Sequence, residues 1–311
     1  MSLHGRLWRA ALLAGMGAQA DALARALARA SERGAARSCL EAGAPLQLTG
    51  AAPGPAGLRA GVRLGGALRP EALAGLVPAE DAAALAGRLA PLPLPTHDSL
   101  GAWLFWTAAR QSIFVDLRDH DPAAALARLQ LVLTADERAR LQRCAPPRAH
   151  ARPWALRLEA QRGALVRVHV HWLVERTAAI DGVVPSQPWR RAAQLLGRLV
   201  RVPERSGRFV IATPLESDAA PALRLSSTAI ALVPEDAAKQ RALGSLAAEL
   251  GGAREHVEAM WSLCRSDAPP RWRVGRAVSL HLPEDPAAPP RLRWFFVPWI
   301  GAPAPTATSD R

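Results

Sequence analysis

Strand-like segments run in pairs through this chain, with helical segments between the pairs, about five times over. The clearest strand is Leu165–Val174, where Val166, Val168, Val170 and Trp172 alternate with Arg167, His169 and His171. Alternate strand residues share a face, so one face is apolar and the other cationic. A turn through Leu158-Glu159-Ala160-Gln161-Arg162-Gly163 joins it to a second strand, Trp154–Glu159, as a hairpin. Further strand-like stretches are Cys39–Leu48, Leu58–Gly65, Ala102–Thr107, Ile113–Leu117, Leu126–Leu133, Arg208–Thr213, Leu223–Val233, Arg273–Leu282 and Arg291–Trp299. Helical patterns cover Leu7–Ser31, Pro70–Leu89, Pro188–Val200 and Glu235–Cys264, the last divided at Gly251-Gly252. Strands joined by tight turns pair antiparallel, since parallel neighbours need a crossover. The pattern therefore predicts an α/β chain of the α+β type: about ten antiparallel strands ringed by helices. Closure into a barrel removes the edges that so long a sheet would expose.

The Pro-rich breaks are short and recur throughout, so none divides the chain. We expect one barrel over residues 1–301 and a frayed tail over 302–311. Half of the residues are hydrophobic, enough for a large core. The 39 basic and 27 acidic residues leave a net charge of +12. Lys239 is the only lysine, so arginine carries nearly all of it. Such a charge attracts anions: nucleic acid, anionic lipid or a diphosphate. Cys39, Cys144 and Cys264 are far apart and form no CxxC pair, which argues against a disulfide framework and a structural zinc site. Arg9, Asp21, Arg25 and Arg29 interrupt the first thirty residues, unlike a secretory signal. No uncharged run has the length of a membrane span. The expectation is a cytoplasmic monomer.

A two-faced strand normally turns its polar side to water. Inside a ring of helices the assignment reverses: the apolar face packs on the helices and the polar face points into the lumen. Arg59 and Arg63 share a strand face, as do Arg128 and Gln130, Arg224 and Ser226, and Arg293 and Phe295. Five strands offering arginine to one lumen suit a diphosphate, because guanidinium binds phosphate oxygens in charge-assisted pairs. Competing motifs are missing: there is no GxxxxGK[ST] loop, no GxGxxG after a strand and no GxSxG elbow. His169 and His171 face one way without a third metal ligand in view, so no protein-held metal is expected. The carboxylate-rich run Asp116 to Asp121 lacks a DDxxD pattern and reads as a strand end and turn.

Several segments, read in order, resemble the cyanobactin peptide prenyltransferases. They are Ser38-Cys39-Leu40-Glu41-Ala42-Gly43, Val115-Asp116-Leu117-Arg118-Asp119, the hairpin Leu156 to Trp172, Arg273-Val274-Gly275-Arg276-Ala277 and Leu292-Arg293-Trp294-Phe295-Phe296. That family has the ABBA fold, a ten-stranded antiparallel barrel ringed by helices. The resemblance implies transfer of a dimethylallyl or geranyl group from an allylic diphosphate to an amino-acid side chain of a (cyclic) ribosomal peptide. It implies Glu41 as the base that takes the acceptor's proton, and Arg63, or Arg59, as a diphosphate ligand. Arg128 fits the first of the family's alternating cations, while Gln130 and Val132 depart from the next two. Together with the strand faces, this gives a diphosphate set of Arg63, Arg128, Arg167, His169, Arg224 and Arg293. The chain has no tyrosine, so His169, Phe295 and Phe296 stand where the family shields the allyl cation. Val210 or Ile211, with Trp172 and Phe295, would line the prenyl pocket. Magnesium would ride on the diphosphate. Two other readings stay open. One is the same fold acting on a free amino acid or small aromatic; the other is a non-enzymatic basic barrel for nucleic acid or anionic lipid. The main reading has neither nucleic acid nor membrane as partner.

Overall fold

The computed structural model describes residues 46–52, 57–64, 73, 77–92, 102–106, 111–117, 121–145, 151–174, 195, 209–216, 223–227, 237–258, 277–282 and 290–296. The strands are β1 (Leu46–Ala52), β2 (Gly57–Leu64), β3 (Ala102–Trp106), β4 (Gln111–Asp116), β5 (Arg152–Gln161), β6 (Ala164–Val174), β7 (Phe209–Pro214), β8 (Leu223–Ser227), β9 (Ala277–Leu282) and β10 (Arg291–Phe296). The described helices are α1 (Ala79–Leu89), α2 (Pro122–Val132), α3 (Ala135–Cys144) and α4 (Ala237–Glu249). All ten strands form one sheet in the order β7-β6-β5-β4-β3-β2-β1-β10-β9-β8. Every hydrogen-bonded pair is antiparallel. The two end strands, β7 and β8, lie beside each other with Cα atoms within 8 Å, so the sheet curls back into a barrel. The expected helix Leu7–Ser31, residue Glu41 and the tail 302–311 lie outside the described residues.

The core sits between sheet and helices. α1 lies against β5 and β6, α2 against β5, and α4 against β1. Ala82, Leu85, Ala86 and Leu89 recur at helical spacing on α1 and are at most 3% exposed. On the sheet, Leu156, Leu158, Val168, Val170 and Trp172 are equally buried. Burying one such side chain contributes about 1.5–3 kcal/mol, so this layer carries much of the stability. Trp172 donates its indole N–H to the Thr213 hydroxyl at 3.0 Å, which satisfies the one polar atom it takes inside. Two glycines fix how the helices dock. Gly163 has φ +75° in the β5–β6 turn and donates its N–H to the buried Asp81 carboxylate of α1 at 2.8 Å. Gly252, beyond α4, packs so closely on β1 that a Cβ would lie 2.5 Å from that of Ala52.

The strand expected at Leu126–Leu133 is helix α2 instead. Asp121 caps it, accepting from the Ala123 and Ala124 N–H groups at 2.8 and 3.2 Å, and Pro122 occupies the first turn. Ala125, Leu129 and Val132 are its buried face, a spacing of three and four residues. The apparent alternation through Arg128 and Gln130 was too short to separate period 2 from period 3.6. With this stretch helical, ten of the eleven predicted strand regions remain as strands.

Candidate active site

The register decides which residues share a sheet face. Arg63, Trp103, Phe114, Arg157, His169 and Pro214 form one row of directly paired residues across β2 to β7. Arg224, His281 and Arg291 form another across β8, β9 and β10, and Ser226, Ser279 and Arg293 the next. Arg59 shares the face of Arg63, and Phe295 that of Arg293. Of the expected diphosphate set, Arg63, Arg167, His169, Arg224 and Arg293 therefore stand on one sheet face. Arg128 does not, because it belongs to α2, which packs against the sheet from outside. Trp172 and Ile211 are paired with each other on the opposite face, among the helix-packed residues. The expectation that they line a prenyl pocket is corrected accordingly. Val210, paired with Leu173, is on the polar face.

Closure of the sheet turns this face inward, since the helices pack on the other one. Arg157 on β5 ion-pairs with Glu159, two residues along the same strand. Arg167 Nη1 on β6 approaches the other Glu159 oxygen at 3.4 Å. Burial holds the Arg157 guanidinium below its ordinary value; Glu159 opposes this, while Arg293 and Arg167 add to it. Arg293 is held down by burial and then by Arg291 and Arg167, with Glu159 opposing. Arg293 is on β10, and four strands separate β10 from β5 along the sheet. These charges can act on one another only across the lumen. Arg293 keeps accessible surface, as a lumen residue open to a ligand should. Three guanidiniums, all permanently charged, thus gather about Glu159, on a face that also carries the buried Asp116. Neither Arg157 nor Glu159 was among the expected site residues. The signal was present, because Leu156-Arg157-Leu158-Glu159 alternates as β6 does.

Beside the cations is an aromatic wall. Phe114 lies 5.5 Å from the Arg157 guanidinium, and its ring stands 5.4 Å from Phe105 and 5.3 Å from His171. Trp154 meets His171 edge-on at 6.1 Å, turned toward it where the β5 register shifts between Pro153 and Ala155. His169 follows at 6.4 Å from His171. Such rings offer negative π-faces to a cation without being strong nucleophiles. At the end of β7, Glu216 accepts from His169 Nε2 at 2.9 Å and from the Val168 and Leu215 N–H groups at 3.1 Å. Burial raises the Glu216 carboxyl, but the His169 hydrogen bond and charge, with backbone N–H, bring it below its ordinary value. No motif pointed to Glu216, which meets His169 only through strand pairing. Among the described residues no three His, Cys, Asp or Glu side chains gather as a metal site. No described helix is long and apolar enough to cross a membrane. A cavity of about 620 Å³ lies between α1, α2 and the β5–β6 turn and touches none of the interior cations.

No protein-family model matches the sequence, and no curated protein does. Solved structures match along nearly the whole chain. PriB in its binary complex with product diphosphate superposes with a TM-score of 0.68 at 15% identity, covering 94% of each chain. This is the ABBA fold. The 5-dimethylallyltryptophan synthase from Streptomyces coelicolor matches with a TM-score of 0.67 at 14% identity, over 94% of this chain and 95% of that one. The 6-dimethylallyltryptophan synthase from Micromonospora olivasterospora, in complex with DMASPP and Trp, matches at 0.64 and 17% identity, over 95% and 96%. At such identities the likeness is one of architecture. The ABBA barrel accounts for the inversion seen here, with apolar strand faces outward on helices and polar faces within.

Proposed function

We propose that this chain is a prenyltransferase, moving a dimethylallyl or geranyl group from an allylic diphosphate to an amino-acid side chain. The observation that carries the reading is that Arg157, Arg167 and Arg293 share the inner face of the closed sheet, beside the Phe105–Phe114–His171–Trp154 wall. Ionising an allylic diphosphate separates an anion from a delocalised cation. Pre-placed guanidiniums stabilise the anion as its charge develops, and aromatic faces stabilise the cation. Arg63 and Arg224 are proposed as further ligands from their place on the same face. Glu41, in the segment that resembles the cyanobactin enzymes, is proposed as the carboxylate that engages the acceptor. Magnesium, where it acts, rides on the diphosphate. A side chain within a ribosomal peptide remains our reading of the acceptor. The Trp-bound relative favours free tryptophan as a second reading.

The test offers dimethylallyl and geranyl diphosphate at equal concentration, with free tryptophan and with tryptophan- and tyrosine-containing peptides, and reads products by mass. Prenylated acceptor is the expected result, and cleavage of neither donor would refute the reading. Val210 lies on the lumen face, flanked by Ile211 and Ala212. We expect the extra room to favour geranyl. Val210→Phe should turn the preference at least fivefold toward the five-carbon donor, since each buried methylene contributes about 0.8 kcal/mol. Ile211→Phe should leave the preference alone and cost about 1–3 kcal/mol of stability by overpacking the helix side. The opposite pattern would show that the assigned faces are wrong.

A further inference from the structure

We propose that His169 accepts the proton released on prenyl transfer and that Glu216 is its positioning residue. This rests on the prenyltransferase reading above. His169 is on the lumen face, in register with Arg157, and its side chain is 19% exposed, whereas His171 is 2% exposed and enclosed by rings. An incoming group can therefore reach His169. Glu216 is anchored by two backbone N–H groups through the oxygen that does not receive Nε2. An ionised carboxylate only accepts hydrogen bonds, so Nε2 is the donor to Glu216, and in the neutral imidazole Nδ1 carries the lone pair. The depressed Glu216 carboxyl is ionised across the range in which imidazole titrates. Two other buried carboxylates stand on this face: Glu159 is ion-paired with Arg157 and Arg167, and Asp116 is at the far end of β4 from Gln111.

The charged and titratable groups facing His169 are Arg167 and His171 on its own strand, Arg157 and Glu159 on β5, and Glu216 after β7. The step balances as follows. The donor's C–O bond breaks, and its electron pair leaves with the diphosphate. The acceptor atom bonds to the allylic carbon, and the proton it sheds passes to His169 Nδ1. The imidazolium formed is then neutralised by Glu216. Glu41, on this view, orients the nucleophile by accepting a hydrogen bond from its N–H or O–H.

The test uses the full chain, dimethylallyl diphosphate, and whichever of tryptophan or the peptides is prenylated. Two quantities are read: the ratio of prenylated acceptor to prenyl alcohol, and kcat against pH. Without its proton acceptor the bonded intermediate reverts and water takes the cation. His169→Gln should therefore lower the ratio tenfold or more. In wild type, kcat should show an acid limb. Glu216→Gln removes the charge that favours imidazolium, so that limb should move to lower pH while the plateau drops several-fold. A merely structural Glu216 would not move the limb. A wild-type profile without an imidazole limb overturns the proposal, whether or not the variants fold. So does a His169→Gln ratio equal to wild type. If wild type cleaves no allylic diphosphate, the prenyltransferase reading itself has failed; if it prenylates and the ratio holds, only the role of His169 has.

Discussion

Replacing Glu159 with glutamine should destabilise the empty protein by about 3–5 kcal/mol, the usual cost of breaking a buried pair from one side. Glu159 is 3% exposed and touches both Arg157 and Arg167, and its charge also reaches Arg293. Glutamine keeps the size but leaves three guanidiniums without their shared counter-charge. In a chain of this size the midpoint of thermal unfolding should fall by roughly 10 °C. Inorganic diphosphate supplies the missing negative charge, so it should restore part of the loss and stabilise the variant more than wild type. Thermal melts with and without diphosphate check both statements. A variant as stable as wild type would mean that the arginines are solvated separately. Loss of stability without rescue would place the anion site elsewhere.

The second large effect concerns Glu41. It stands five residues before the start of β1 at Leu46, within the segment that carries the family resemblance. Glu41→Gln keeps shape and removes the charge that polarises the nucleophile. Turnover should drop about 100-fold or more, the scale of a lost preorganised polar group at the reacting atoms, while the affinity for a thiolodiphosphate analogue stays within about twofold. Steady-state rates and a binding titration on the same preparation separate the two. Undiminished turnover would remove Glu41 from the site. A parallel loss of donor affinity would make it a structural residue of the barrel.

Much of the fold was legible because β-alternation is local. The two faces of β6 are written in Val166 to Trp172, and the structure needs only to say which face is inward. The barrel followed from strand pairing and edge avoidance, and it fixed the positions of Arg63, Arg167, Arg224 and Arg293 on one face. Where local signals competed, pattern alone misled. Leu126–Leu133 alternates over a few residues, yet the Asp121 cap and a run of alanines make it helical, which takes Arg128 out of the lumen. Trp172 shares the parity of Val166, Val168 and Val170, which was legible, whereas the face of Ile211 is set only by its register with β6. The pairing of Glu216 with His169 is set by a register between β6 and β7 spanning 47 residues. Arg293 reaches Arg167 only because the sheet closes. Such contacts depend on tertiary geometry, which no short window encodes.

Binding of dimethylallyl thiolodiphosphate to wild type, Arg157→Gln, Arg293→Gln and Arg128→Gln tests the cationic lumen most directly. One charge-assisted bond contributes about 1.5–3 kcal/mol, so each lumen variant should bind about 10- to 100-fold more weakly than wild type. Arg128→Gln, altered on helix α2, should bind as wild type does. Saturable one-to-one binding with that pattern is the predicted result. No saturable binding by wild type, or equal affinities in all four proteins, would contradict it.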